Sequence, residues 1–347
     1  MYKVHAYTPG EQPTAEQKII KLNTNENPYP PSPTIKKIAE SILKKGLLRK
    51  YPNPISKALV DEIALQNKVG PENVLVTNGS DEGLALLFKA CLGPNSKLIM
   101  PYPTYSLYPV LANIQMNGVN IKKVPLLENL HIDFSSLKKQ KGNLLTFANP
   151  NAPTGLLENK KEIESLLEIF KGIVLCDEAY IDFAPQTSSM VDKISKYDNL
   201  VVSRTFSKSY SLAGLRVGFL IANKETIRLL YNIKDSYNVG MLEQEIALAA
   251  LKDKKYFEKV IKKIIKSREN LGIQLTNLSF TVISSSANFL FIRPPKNISP
   301  EHLFHKLKND GIFVRYFKDD VSKNFLRITV GTEKENKLLI KSLKKYL

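Results

Sequence analysis

A single lysine, Lys208, stands among hydroxyl side chains in the stretch Ser203-Arg-Thr-Phe-Ser-Lys-Ser-Tyr-Ser-Leu-Ala-Gly-Leu-Arg216. Thr205, Ser207 and Ser209 surround it, and Arg216 follows. An amine in this setting suits attack on a carbonyl, and a guanidinium close by suits phosphate oxygens, which it binds bidentately. Three other stretches could serve the same chemistry. Asn78-Gly-Ser-Asp-Glu-Gly83 opens a helix, with Ser80 or Asp81 expected as its cap; free amides at a helix start seat a phosphate. Asp177 follows the apolar Ile173-Val-Leu-Cys176, and a buried carboxylate needs a cation or hydrogen-bond donors. Tyr180 lies in reach of the same ligand. Asn149-Pro-Asn-Ala-Pro-Thr-Gly155 has a backbone fixed by two prolines and a glycine, which would aim Asn151. Taken singly, each has a plainer reading: a surface lysine, a capped helix, an acid ending a strand, a loop.

These residues share a position in the pattern of elements. Apolar runs at 74–77, 97–100, 144–148, 173–176, 200–202 and 217–221 read as strands, with helices at 82–91 and 105–115 among them. Short apolar strands separated by helices imply a mostly parallel sheet covered on both faces, in which ligands sit at the carboxyl ends of the strands. The four stretches each follow a strand. Residues 1–31, rich in Pro and Asn, read as an extended arm. Residues 32–240 read as a large domain, whose first helix could pack with the small one. Residues 241–347 read as a smaller α+β domain.

The 347 residues are 43% hydrophobic and 24% charged, as in a globular protein. No apolar run has the length of a membrane span, and residues 1–9 lack the apolar stretch of a signal peptide. Cys91 and Cys176 sit in apolar sequence and read as buried thiols of a cytoplasmic protein. The net charge of +17 comes from lysines spread over the whole chain. The densest run, 252–268, carries apolar residues at 256, 257, 260, 261, 264 and 265, a helix with one buried stripe and a solvated lysine face. No nucleic-acid-binding signature accompanies it, so a basic nucleic-acid-binding protein is the remote alternative. His302 and His305, three apart, lack a carboxylate or third ligand, and no metal site is expected.

In combination the stretches match the needs of pyridoxal 5'-phosphate. Its aldehyde requires a lysine, its ring nitrogen a carboxylate, and its 3-oxygen and phosphate require donors. Here the chain resembles the fold-type I pyridoxal-phosphate aminotransferases, and most closely the histidinol-phosphate aminotransferase family. The resemblance spans nearly the whole length. It rests on Leu22-Asn-Thr-Asn-Glu, Tyr51-Pro, Asn78-Gly-Ser-Asp-Glu-Gly, Pro103-Thr-Tyr105, Asn149-Pro-Asn-Ala-Pro-Thr-Gly, Asp177-Glu-Ala-Tyr, Ser207-Lys208, Leu212-Ala-Gly-Leu-Arg216 and Leu326-Arg-Ile-Thr-Val-Gly-Thr. It implies that Lys208 carries the cofactor aldehyde as a Schiff base and then moves the substrate proton. Asp177 pairs with the ring nitrogen, Tyr180 bonds the 3-oxygen and Tyr105 stacks on the ring. Ser80, Asp81, Thr205, Ser207 and Arg216 hold the phosphate, and Tyr51 reaches the phosphate of a neighbouring subunit, which implies a homodimer.

The resemblance also implies the substrates, histidinol phosphate with glutamate or 2-oxoglutarate. Arg315 and Arg327 match the family's anion-binding arginines and Tyr7 a tyrosine closing over the substrate phosphate; Asn25, on the same arm as Tyr7, is expected to line the pocket. One position departs from the family. An Asn often precedes Pro-Thr-Gly and holds the 3-oxygen; here it is Ala152. Either Asn151 reaches across or Tyr180 carries that bond alone. An aromatic-amino-acid aminotransferase and a threonine-phosphate decarboxylase would share every cofactor residue and stay open as alternatives.

Overall fold

The computed structural model describes residues 11–12, 19–115 and 119–347. Tyr7 lies outside the described residues. Seven strands form the central sheet. Across it they run Val74–Thr77, Gly218–Ala222, Leu200–Thr205, Ile173–Asp177, Leu144–Ala148, Lys97–Tyr102 and Asn120–Pro125. Neighbours are parallel, except that Gly218–Ala222 runs against both of its partners. The strands alternate between two cores. Leu75, Leu175, Val201 and Leu220 face one apolar cluster, while Val74, Val174, Val202 and Phe219 face the other. A sheet buried on both faces needs such continuous apolar runs, which is why its central strands are legible in the sequence. The edge strand Asn120–Pro125 is not: its Asn-Ile-Lys-Lys-Val-Pro is mostly exposed.

A four-stranded antiparallel sheet forms the small domain, in the order Arg315–Tyr316, Leu326–Thr329, Phe289–Arg293, Thr281–Ile283. Leu303, Leu307, Leu339 and Leu343, from the helices Pro300–Asn309 and Glu333–Leu343, fill its core. The arm is stitched to it. Ile20–Lys21 pairs in parallel with Ile312–Phe313, and Leu22 is buried in the same core.

The change from one core to the other comes later than residue 241. Met241–Lys252 buries Ile246, Ala247, Ala250 and Leu251 in the cluster that holds Leu59 and the sheet residues Val174 and Val202. The first helix, Thr34–Lys44, packs on that same helix and so belongs to the large core. Lys254–Asn277 then bridges. Val260 and Ile264 meet Tyr180 and Phe183 of the large domain, while Leu271 and Leu275 lie in the small-domain core. Its lysine face is exposed, as its periodicity predicts. Cys176 is buried, and Cys91 is half-buried.

Candidate active site

Strand direction brings the candidate residues to one edge. The chain leaves Leu200–Thr205 at its carboxyl end and returns along the antiparallel Gly218–Ala222, so residues 206–217 loop at that edge. Thr77 pairs with Gly218 and Ala148 with Asp177, so all four stretches meet there. They line a cleft of about 290 Å³ that also includes arm residues 23–26 and the small-domain residues Arg315, Phe317 and Arg327.

Lys208 is clamped through its backbone and aimed through its amine. Asn27 Nδ2 donates to the carbonyls of Lys208 (3.0 Å) and Ser209 (3.2 Å), and Ser209 Oγ donates to Asp182 (2.6 Å). Lys208 Nζ donates to the carbonyl of Thr24 at 3.0 Å. Burial, followed by repulsion from Arg327, lowers its pKa to about 8. About a tenth of the amine is therefore neutral and nucleophilic at pH 7, far more than for an ordinary lysine.

Asp177 is buried at the end of its strand, with one oxygen accepting from Tyr108 Oη (2.9 Å) and the other from Ala179 N (3.2 Å). Burial raises its pKa to about 7 against these two donors. A carboxylate so placed is completed by a cation in the cleft. Tyr108 was not among the expected site residues. The available signal is its position one helical turn beyond Tyr105, a hydroxyl-bearing ring in an apolar helix. Tyr105 itself lines the cleft, edge-on to Tyr108, with its hydroxyl 3.5 Å from Asp81.

At the other end, the helix Gly79–Cys91 begins earlier than expected. Its cap is Asn78, whose side chain makes no capping bond, so Ser80 and Asp81 are first-turn residues and not caps. Their main-chain N–H groups are the groups that suit an anion. Arg216 Nη2 donates to Asp81 (2.9 Å) and Nη1 to Ser207 Oγ (3.3 Å), while Thr205 Oγ1 donates to Ser207 Oγ (2.9 Å). Gly79, at φ +71°, makes room for the guanidinium: a Cβ there would lie 2.6 Å from Arg216 Nη2.

The small domain supplies two arginines. Arg327 Nη2 donates to the carbonyl of Asn23 (2.9 Å). The Phe317 ring lies 5.4 Å from both the Arg315 and the Arg327 guanidinium carbons. The sequence reading did not select Phe317, because a lone aromatic after a short strand carries no local signal.

One expected residue, Asn151, takes another place, while Tyr51 lies away from the cleft of its own chain. Asn151 is fully buried with its amide spent on the loop: it donates to Pro103 O and Thr154 and accepts from Thr104. It does not line the cleft; Ala152 and Pro153 do. Tyr51 is 78% exposed and stacked on Tyr237 at 4.4 Å. Asn25 is buried at the cleft wall and donates to Tyr180 Oη at 3.0 Å.

The residues present fit pyridoxal phosphate. A partly neutral lysine, a buried carboxylate raised toward neutrality and an uncapped helix start beside an arginine match its aldehyde, ring nitrogen and phosphate. Thr24 Oγ1 and Asn23 Oδ1 are also buried at this cleft without a hydrogen-bond partner among the described residues.

Comparison with known proteins agrees. The profile of the family "Aminotransferase class I and II" matches residues 17–343. Histidinol-phosphate aminotransferase of Brachyspira hyodysenteriae is 43% identical, over 98% of this chain and 96% of that relative. The histidinol-phosphate aminotransferase structure from Clostridium acetobutylicum superposes with a TM-score of 0.87 at 26% identity, covering 94% of this chain and 99% of that one. That of Sinorhizobium meliloti, in complex with pyridoxal-5'-phosphate, has the same fold at a TM-score of 0.88 and 22% identity, covering 95% and 92%. The chain belongs to the class I and II aminotransferases, and within them to the histidinol-phosphate aminotransferase family.

Proposed function

We propose that this chain catalyses reversible amino transfer between L-histidinol phosphate and 2-oxoglutarate, giving imidazole acetol phosphate and L-glutamate, with pyridoxal 5'-phosphate as cofactor, in histidine biosynthesis. One observation carries the reading. The Lys208 amine faces a cleft walled by the buried Asp177 and Tyr180 on the large-domain side and by Arg315 and Arg327 on the small-domain side. Pyridoxal phosphate supplies an aldehyde that takes up the amino group and a conjugated ring that accepts the electron pair left when the α-hydrogen departs as a proton.

The chain's own residues do the rest. The Lys208 amine, depressed to about 8, is neutral often enough to bond the aldehyde and to carry the proton between carbons. Thr24 O accepts a hydrogen from this amine and orients it. Asp177 holds a proton on the ring nitrogen by opposing its charge. Tyr180 donates to the 3-oxygen. The N–H groups of Ser80 and Asp81, with Thr205, Ser207 and Arg216, hold the phosphate.

Arg315 and Arg327 give one site for two anions, since glutamate brings a carboxylate and histidinol phosphate a phosphate. Lys208→Ala should abolish both borohydride-trapped cofactor and turnover; turnover by that variant sinks the proposal. In a single turnover, histidinol phosphate alone should discharge the absorbance of the yellow enzyme. Discharge by phenylalanine instead would make it an aromatic aminotransferase, and CO₂ release from threonine phosphate a decarboxylase.

The working unit is a cytoplasmic homodimer in which Tyr51 serves the partner's phosphate end. The exposure of Tyr51 away from its own cleft supports this. Sedimentation of the active enzyme as a monomer would overturn it. No described helix is long and apolar enough to cross a membrane.

A further inference from the structure

Ala152 brings no donor to the cleft at the position where the family this chain resembles often has an asparagine, and the Asn151 amide is committed to Pro103, Thr104 and Thr154. Another amide reaches the remaining donor. Asn25 Nδ2 lies 3.0 Å from Tyr180 Oη in a buried setting. The orientation of this amide follows from its other partner. Thr329 Oγ1 accepts from the Asn25 main-chain N–H at 3.0 Å and lies 3.2 Å from Asn25 Oδ1. A flipped amide would give that hydroxyl oxygen two N–H donors and, among the described residues, no acceptor for its own hydrogen. With Oδ1 toward Thr329, Nδ2 must face Tyr180. The phenol oxygen then accepts from Asn25, and its hydrogen points away from Asn25.

Two features hold Asn25 in this pose. Its backbone is left-handed at φ +56°, a conformation asparagine tolerates better than most residues. Asn288 Nδ2 donates to its carbonyl at 2.9 Å. Thr329 stands two residues from Arg327 on the strand Leu326–Thr329, so the amide spans from the anion-binding strand to Tyr180.

We infer that Asn25 is a positioning residue that fixes the direction of the Tyr180 hydroxyl, and that it does so in place of the donor missing at Ala152; the inference rests on the functional reading above. Asn25 is then no substrate ligand, although it borders the cleft. A hydrogen bond donated to the 3-oxygen favours the state in which that oxygen bears full negative charge. Its weakening should raise the pH midpoint of the bound cofactor's absorbance change.

The test is a spectrophotometric pH titration of the cofactor-loaded enzyme, with steady-state kinetics alongside. Asn25→Asp removes the donor and offers the Tyr180 hydrogen a competing acceptor. It should raise the midpoint by about one unit, as expected for losing a hydrogen bond to a charged group. Asn25→Gly, which keeps the left-handed backbone, should shift it in the same direction and guards against misfolding of the first variant. In a Tyr180→Phe background Asn25→Gly should add nothing, because it acts through the same hydroxyl, and Asn25→Asp should add only the smaller effect of its charge. An unmoved midpoint with a raised KM would make Asn25 a substrate ligand, and equal shifts in both backgrounds would make its effect independent of Tyr180. Either result overturns the inference. A wild-type protein showing no cofactor absorbance at all would instead overturn the functional reading beneath it.

Discussion

Tyr108 Oη donates to Asp177 Oδ2 at 2.9 Å, with both groups buried at the carboxyl edge of the sheet. The bond runs from a large-domain helix to a strand end, so the helix sets the direction of the carboxylate. It also opposes the effect of burial, which by itself drives the Asp177 pKa upward.

Tyr108→Phe should therefore leave the fold intact and weaken the charged form of Asp177. A hydrogen bond to a charged group contributes about 1.5–3 kcal/mol. We expect kcat/KM to fall by about tenfold or more, with the loss largest at low pH, where Asp177 is already partly protonated. A pH profile that drops evenly at all pH values would assign Tyr108 to packing alone.

Gly79→Ala tests the proposed phosphate end. The new Cβ would lie 2.6 Å from Arg216 Nη2, on a backbone at φ +71° that an L side chain rarely adopts. Arg216 must move, and the contact it loses is of the charge-assisted kind. Pyridoxal phosphate should bind about tenfold more weakly or worse, on the usual scale of such bonds. Pyridoxal, which lacks the phosphate, should bind as well as before. Equal weakening of both ligands, measured by fluorescence titration, would mean that the substitution acts on the fold.

Much of this site was legible because it depends on where strands end. The runs around Val174, Val202 and Leu220 are apolar on both sides, so their carboxyl ends, and with them Asp177 and Lys208, could be placed from sequence. What stayed hidden depends on long-range partners. Asn151 looks aimed at a ligand by its flanking prolines, but its partners Pro103 and Thr104 lie in another loop. Asn25 reads only as a pocket-lining residue and Asn27 as an element of a polar arm. Their contacts with Tyr180 and with the Lys208 carbonyl cross more than a hundred residues, and no local pattern encodes them. The edge strand Asn120–Pro125 escaped because one covered side leaves little apolar signature.

Phe317→Ala addresses together the two arginines proposed to bind substrate. The ring lies 5.4 Å from each guanidinium, and such a contact contributes about 0.5–1 kcal/mol at a partly exposed site. Losing both should raise KM for glutamate and for histidinol phosphate by about five- to thirtyfold while kcat changes little. A fall in kcat at constant KM would show that the ring acts on the reacting atoms and not on anion binding.

Asp177→Asn separates what the site needs for chemistry from what the fold prefers. In the fold, burial raises the Asp177 pKa from 3.8 to about 7, so the folded chain binds this proton more tightly than the unfolded chain does. The resulting stability is complete below pH 4 and is lost as pH rises through about 7. At about 1.4 kcal/mol per unit, the full loss is at most about 4 kcal/mol, and relaxation around the charge reduces it. An asparagine has no charge to bury, and the Tyr108 hydroxyl can rotate to meet its amide. With the cofactor removed, Asp177→Asn should therefore be more stable than the wild type at pH 8, with the gap closing as pH falls toward 4. Urea unfolding of the two apoproteins across that range measures it. Loaded with cofactor, the order should reverse, because the wild-type carboxylate then has the ring cation to oppose and the amide does not. A gap independent of pH would show that the Asp177 charge is not strained in the empty fold.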